Sequence, residues 1–239
     1  MSAADKSSLE LTLHDMHWEH YLRQFHLPHV KVSSAYTIVK RCLDILGACV
    51  GIVLFSPLIL LIAILIKLTS PGPIFFWQHR IGFGGKKFWF CKFRSMVVDA
   101  EARQAKLEHL NESPGGMLFK LKDDPRITAL GRFLRRTSLD ELPQLWNVLN
   151  GSMSMVGPRP LPLRDCRKLC DLDVHQFAIR QCAVPGITGP WQVYSRSSSI
   201  PFEEQLRLDL EYVQQRNIIL DLKLLALTIR AVSARDGAY

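Results

Sequence analysis

No C-x-x-C pair occurs in this sequence, and none of its six cysteines stands beside histidines at the spacing of a zinc site. A zinc-binding module is thereby excluded, and a reducing compartment fits; Cys166 and Cys170, spaced to share a helix face, read as packing residues. Internal repeats and low-complexity tracts are also missing, which excludes a solenoid. Only one long apolar run is present, so a protein that crosses a membrane many times is excluded as well. Acidic side chains are scarce: 22 Asp and Glu stand against 30 Lys and Arg, for a formal net charge of +8 and a pI near 9.3. That excess calls for an anionic partner, whether nucleic acid, a membrane surface or a phosphorylated substrate.

The 239 residues suffice for one domain with a real core plus membrane elements. Hydrophobic residues make up 48%, yet the mean hydropathy is only +0.06, so the apolarity must be concentrated. It is concentrated between Ile45 and Ile66, where 22 successive positions carry no charge. As a straight helix this run would measure about 33 Å against roughly 30 Å of hydrocarbon. It is too long and too far from Met1 for a cleaved signal peptide. Ser56-Pro57 stands at its centre, and proline bends or breaks a helix. Lys31, Lys40 and Arg41 precede the run, and Lys67, Arg80, Lys86 and Lys87 follow it, so the positive-inside rule gives both flanks a claim to the cytoplasm. A helix–break–helix hairpin satisfies both claims; a kinked spanning helix is the competing reading.

Before that run, His14, His17 and His20 lie in a polar extension that reads as a surface helix. After it, aromatic stretches on either side of Gly82, Gly84 and Gly85 predict a β-hairpin, with the glycines as its turn. A charged helix is expected over 97–111, a loop at Glu112–Gly116, and helices over Phe202–Val213 and Asn217–Ala231, the last too charged to span and suited to the membrane interface.

The densest chemistry lies between Arg132 and Gln144. Ser138-x-x-Glu141 has the form of a capping box, and Pro143 agrees with a helix beginning near Asp140. A helix start flanked by Arg132, Arg135 and Arg136 is equally an anion site, and carboxylates beside three arginines should stay ionised, as a nucleophile or magnesium ligand requires. Arg159 is fixed in a stiff Gly157-Pro158-Arg159-Pro160 turn, where it could grip a phosphate or pair with a carboxylate. Strand alternation puts Lys92 and Arg94 on one face, as phosphate contacts or as solvated charges.

The segments KRCLD, SPGPIFFWQHRIG, KFRSM, DPRITALGRFLRRTSLDELPQLWNVLNG, SMVGPRP and VPGITGPWQV, in this order, closely resemble the bacterial sugar transferase family, the single-domain polyprenyl-phosphate phosphoglycosyl transferases, over roughly residues 36–231. The resemblance implies an α+β, mostly helical protein: a re-entrant membrane helix broken at Ser56 and Pro57, a small antiparallel β-hairpin and amphipathic interface helices. The implied parts are an N-terminal extension over 1–34, the membrane helix over 35–69 and a catalytic domain over 70–239 on the cytoplasmic face of a bacterial inner membrane. It further implies a Mg²⁺-dependent transfer of a sugar 1-phosphate from a UDP-sugar to polyprenyl phosphate, releasing UMP, in the assembly of exopolysaccharide or lipopolysaccharide. Asp140 is the implied nucleophile, Glu141 its helper or a metal ligand with it, and Lys92, Arg135 and Arg159 fall at phosphate-contact positions, Arg94 being added by strand alternation. The partners are then a UDP-sugar, polyprenyl phosphate and the bilayer, with a homodimer admitted and no nucleic acid. Tyr194-Ser195-Arg196 and Tyr212–Arg216 depart from the family's pattern, which leaves the sugar unassigned. The rival readings are a membrane-anchored binder of anionic ligands and a scaffold without catalysis.

Overall fold

One helix takes up the whole apolar run and more. In the computed structural model, which describes residues 30, 32–112, 118–119, 121–194 and 200–233, α1 extends from Ser34 to Thr69. The histidine-rich stretch with His14, His17 and His20 lies outside the described residues, as do Ser113–Gly116, Ser195 and Arg196. Pro57 sits inside α1 and offers no N–H to the Val53 carbonyl four residues back. The Ser56 hydroxyl donates to that carbonyl instead, at 2.9 Å. The chain therefore stays helical through the Ser-Pro pair, where the sequence suggested two helices with a break between them. By length and composition α1 could cross a membrane, and only 11% of its most apolar window is buried.

Both flanks of α1 are fixed to the rest of the protein. Near its start, Arg41 donates to the carbonyls of Val148 and Leu149 at 2.6 and 2.7 Å, while the Asp44 carboxylate accepts from the Ser154 hydroxyl and the Met155 N–H. Near its end, Ile62 and Ile66 pack with Phe93 and Leu134. Between these anchors Val50, Val53, Leu54, Leu60, Leu61 and Ile64 face outward.

The expected hairpin forms from β1 (Phe75–Ile81) and β2 (Lys87–Phe93), antiparallel, with Ile81 paired to Lys87 and Phe75 to Phe93. Gly84 and Gly85 have φ of 64° and 82° in the connection, a region that side chains avoid. The charged helix appears as α2 (Ala100–Leu107) followed by a 3-10 turn to Leu110. Next come α3 (Ala129–Arg136), a 3-10 turn (Leu139–Glu141) and α4 (Gln144–Leu149). A second pair of strands, β3 (Ser154–Val156) and β4 (Gly186–Thr188), is parallel, with α5 (Leu163–Leu172) and α6 (Val174–Arg180) in the crossover. Strands this short carry too little alternation to be read from sequence. After α7 (Pro190–Tyr194), α8 (Phe202–Gln215) and α9 (Ile218–Ser233) close the described chain. α8 buries Leu206, Tyr212 and Val213, and α9 buries Asp221 and Leu224 while exposing Ile219, Leu222 and Ile229.

Candidate active site

The Asp-Glu pair sits in the 3-10 turn and not at a helix start. Ser138, immediately before it, has φ 57°, the sole positive φ of a residue other than glycine among the described residues. Such a left-handed backbone costs about 1–3 kcal/mol and persists only where surrounding contacts impose it. With Ser138 in that conformation its side chain does not cap the turn, and the capping box expected with Glu141 does not form; Glu141 donates its N–H to the Ser138 carbonyl at 3.2 Å instead. The α-helix begins only at Gln144, directly after Pro143. The turn thus presents Asp140 and Glu141 outside the regular helix.

Gly131 explains how α3 reaches this point. A Cβ there would lie 1.9 Å from the Ser95 carbonyl oxygen, so only glycine lets α3 lie this close to the chain leaving β2. Across that contact Arg135 donates from Nε to the Ser95 hydroxyl at 2.8 Å. Lys92, paired with Phe76 across the hairpin, holds its ammonium 5.2 Å from the Phe76 ring centre. From the other side Arg159 donates to Glu141 at 2.6 Å, with its guanidinium 6.0 Å from the Trp191 ring centre.

Four cations, Lys92, Arg135, Arg159 and Arg80, act electrostatically on the two carboxylates, leaving positive charge in excess. The surplus shows in Lys92, whose ammonium is pushed down to about 7 by burial and then by the charge of Arg135. Burial also acts to raise Glu141, but the charge and hydrogen bond of Arg159 outweigh it and hold this carboxyl below its usual range. Asp140, only 7% exposed, goes the other way: burial and the adjacent Glu141 charge raise it against the pull of Lys92, Arg135 and Arg159. The two carboxyls, expected alike from sequence, are therefore driven apart, because only Glu141 has an arginine bonded to it. An anion would relieve the excess of cations.

Of the residues singled out in the sequence, Asp140, Glu141, Lys92, Arg135 and Arg159 come together. Arg94 does not join them: β2 ends at Phe93, and the Arg94 guanidinium turns back to the Ser70 carbonyl and hydroxyl, at 2.8 and 2.6 Å, where it secures the end of α1. Arg132 points to Asp123 at the surface, 4.0 Å away. Sequence reasoning missed Arg80. The hairpin register could have found it, since Phe76 pairs with Lys92 and Arg80 with Phe88, which puts Arg80 and Lys92 on one face.

No group of three or more His, Cys, Asp or Glu suited to a metal gathers among the described residues. Asp140 and Glu141 supply two carboxylates, and a magnesium ion that shares its coordination with substrate phosphates and water needs no more from the protein. The donor set fits Mg²⁺ bound together with a phosphorylated ligand.

A model of the bacterial sugar transferase family matches residues 35–235. The galactosyl transferase CpsE of Streptococcus agalactiae is 40% identical over 85% of this chain and 44% of its own length. The undecaprenyl-phosphate galactose phosphotransferase of Salmonella typhimurium is likewise 40% identical, over 87% of this chain and 43% of its own. The exopolysaccharide production protein ExoY of Rhizobium meliloti is 38% identical over 84% of this chain and 88% of its own. The chain thus spans less than half of the first two relatives and most of the third.

Proposed function

The chain belongs to the bacterial sugar transferase family, and we propose that it moves a sugar 1-phosphate from a UDP-sugar onto polyprenyl phosphate, as an early membrane step of surface-glycan assembly. The observation that carries this reading is a buried Asp140 that feels the charge of three cations, Lys92, Arg135 and Arg159. A binder of anions would need the cations but not a buried carboxylate beside them, which weakens anion affinity. A scaffold would need neither.

In the proposed reaction an Asp140 carboxylate oxygen attacks the sugar-linked phosphorus of the donor. The bond from that phosphorus to the UMP oxygen breaks, and UMP leaves with the electron pair. A phosphate oxygen of the polyprenyl acceptor then attacks the same phosphorus and displaces the Asp140 carboxylate, which restores the enzyme. Desolvation and the Glu141 charge raise the basicity of Asp140 and so its nucleophilicity once ionised. Lys92, Arg135 and Arg159 neutralise the donor's phosphates, without which an anionic nucleophile is repelled. Mg²⁺ held by Asp140 and Glu141 with the diphosphate would add to that neutralisation. With polyprenyl phosphate in the assay, the full chain is expected to release UMP from one or more of a panel of UDP-sugars and to stop on chelation of divalent metal. No release from any donor would overturn the reaction class, and full activity after chelation would overturn the metal.

Lys92 should leave a mark on the pH profile. Only its charged form attracts phosphate, so kcat/KM for the donor should fall as pH rises through about 7, the value to which burial and Arg135 push it. Lys92→Arg, charged throughout, should remove that descending limb; a limb that persists unchanged in the variant would assign it to another group.

For the membrane segment we infer a re-entrant arrangement, in which α1 enters the bilayer and its two ends stay on the cytoplasmic face of the inner membrane. Support comes from the anchors at both flanks: Arg41 and Asp44 at one end and Ile62 and Ile66 at the other all contact one globular body. Reporter tags at the two termini should report the same side of the membrane. Opposite sides would establish a spanning helix.

A further inference from the structure

The turn that carries Arg159 is held by its own backbone, atom after atom. Gly157 donates its N–H to the Thr188 carbonyl at 2.9 Å, and the Pro158 carbonyl accepts from Gly186 at 3.0 Å. A Cβ at Gly157 would lie 2.2 Å from the Val184 carbonyl oxygen, so the turn admits no side chain there. Three carbonyls in and beside the turn accept from cations of three separate elements. Lys40 of α1 donates to the Val156 carbonyl at 3.0 Å, Arg180 of α6 to that of Arg159, and Arg80 of β1 to that of Pro160. Two of these cations have a carboxylate of their own, Lys40 bonding Asp221 at 2.8 Å and Arg180 bonding Asp209 at 2.9 Å.

The Arg180–Asp209 pair is the most deeply placed, with side chains 4% and 2% exposed. Burying such a pair costs several kcal/mol per ion, and apolar side chains of like volume often serve stability as well or better. Stability alone gives it little reason to be there. The Arg180 Nη2, however, which faces the Asp209 carboxylate, also donates to the carbonyl of the residue whose side chain holds Glu141. A proline on each side of Arg159 removes two backbone donors, so the carbonyls are the handles by which this turn can be oriented.

We propose that Arg180, itself held by Asp209, is a positioning residue for the transfer reaction: it fixes the Arg159 backbone so that the guanidinium meets Glu141 and the donor phosphate together. The inference rests on the phosphate role given to Arg159 above. A displacement of about 1 Å at such a clamp can cost up to about a hundredfold in rate.

The test is a double-mutant cycle on the full chain, with UMP release measured from whichever of UDP-galactose, UDP-glucose and UDP-N-acetylgalactosamine the parent uses. Arg180→Gln should lower kcat by about tenfold or more in the parental background, and by less than about twofold where Arg159→Gln has already removed the guanidinium, because coupled residues are not additive. Where Arg180→Gln fails to fold, Asp209→Asn keeps the shape and the same cycle applies, with a loss of about threefold that again vanishes beside Arg159→Gln. Equal losses in both backgrounds, from whichever variant folds, would overturn the positioning role and leave the phosphate assignment standing. Full activity of Arg159→Gln alone would instead overturn that assignment and this inference with it.

Discussion

Asp140→Asn should abolish UMP release, by a thousandfold or more on the order of magnitude seen when a covalent nucleophile is removed. An amide of the same shape cannot displace UMP from phosphorus, yet it fits the 3-10 turn and removes a charge that burial already opposes. The variant should therefore fold and insert into membranes as the parent does, and gain stability if anything. In the absence of divalent metal it should also bind UDP at least as well, since one negative charge leaves a site rich in cations. Turnover near the parental rate would make Asp140 a spectator and move the chemistry elsewhere.

Arg159→Gln should lower kcat by about a hundredfold, equivalent to about 3 kcal/mol of barrier for the loss of one preorganised charge donor. It breaks the 2.6 Å bond to Glu141 as well as the proposed contact with phosphate. Glu141, half-buried and no longer paired, then loses the group that holds its carboxyl low. The loss should therefore be larger at acid pH, where an unpaired Glu141 takes up a proton that the parental pair refuses. Steady-state UMP release across pH 5 to 8 checks both parts; an unchanged kcat would remove Arg159 from the site.

These expectations draw on sequence and structure unequally. The hairpin was legible because two glycines that need positive φ separate aromatic strands, and the membrane segment because 22 uncharged positions have few other uses. Asp140, Glu141 and Arg159 were legible as a basic and acidic constellation, although only the structure brings residues 18 positions apart into contact. The capping box was misread because Ser138 lies in the left-handed region, a strain imposed by tertiary contacts and invisible in a local pattern. Continuity of α1 through Pro57 was missed for a local reason, the Ser56 hydroxyl that replaces the lost donor. Arg94 was misplaced because alternation was carried one residue past the end of β2. The cations on the Arg159 turn come from positions 40, 80 and 180, and no spacing rule links residues so far apart.

The bond formed at Asp140 is the central step of the proposed reaction. Incubating the full chain with its UDP-sugar in the absence of polyprenyl phosphate, then quenching and mapping peptides by mass, tests it directly. The predicted result is one added sugar phosphate on the peptide containing Asp140, absent from Asp140→Asn and discharged when polyprenyl phosphate is supplied. Efficient turnover with no adduct on that peptide, or an adduct on another residue, would contradict it.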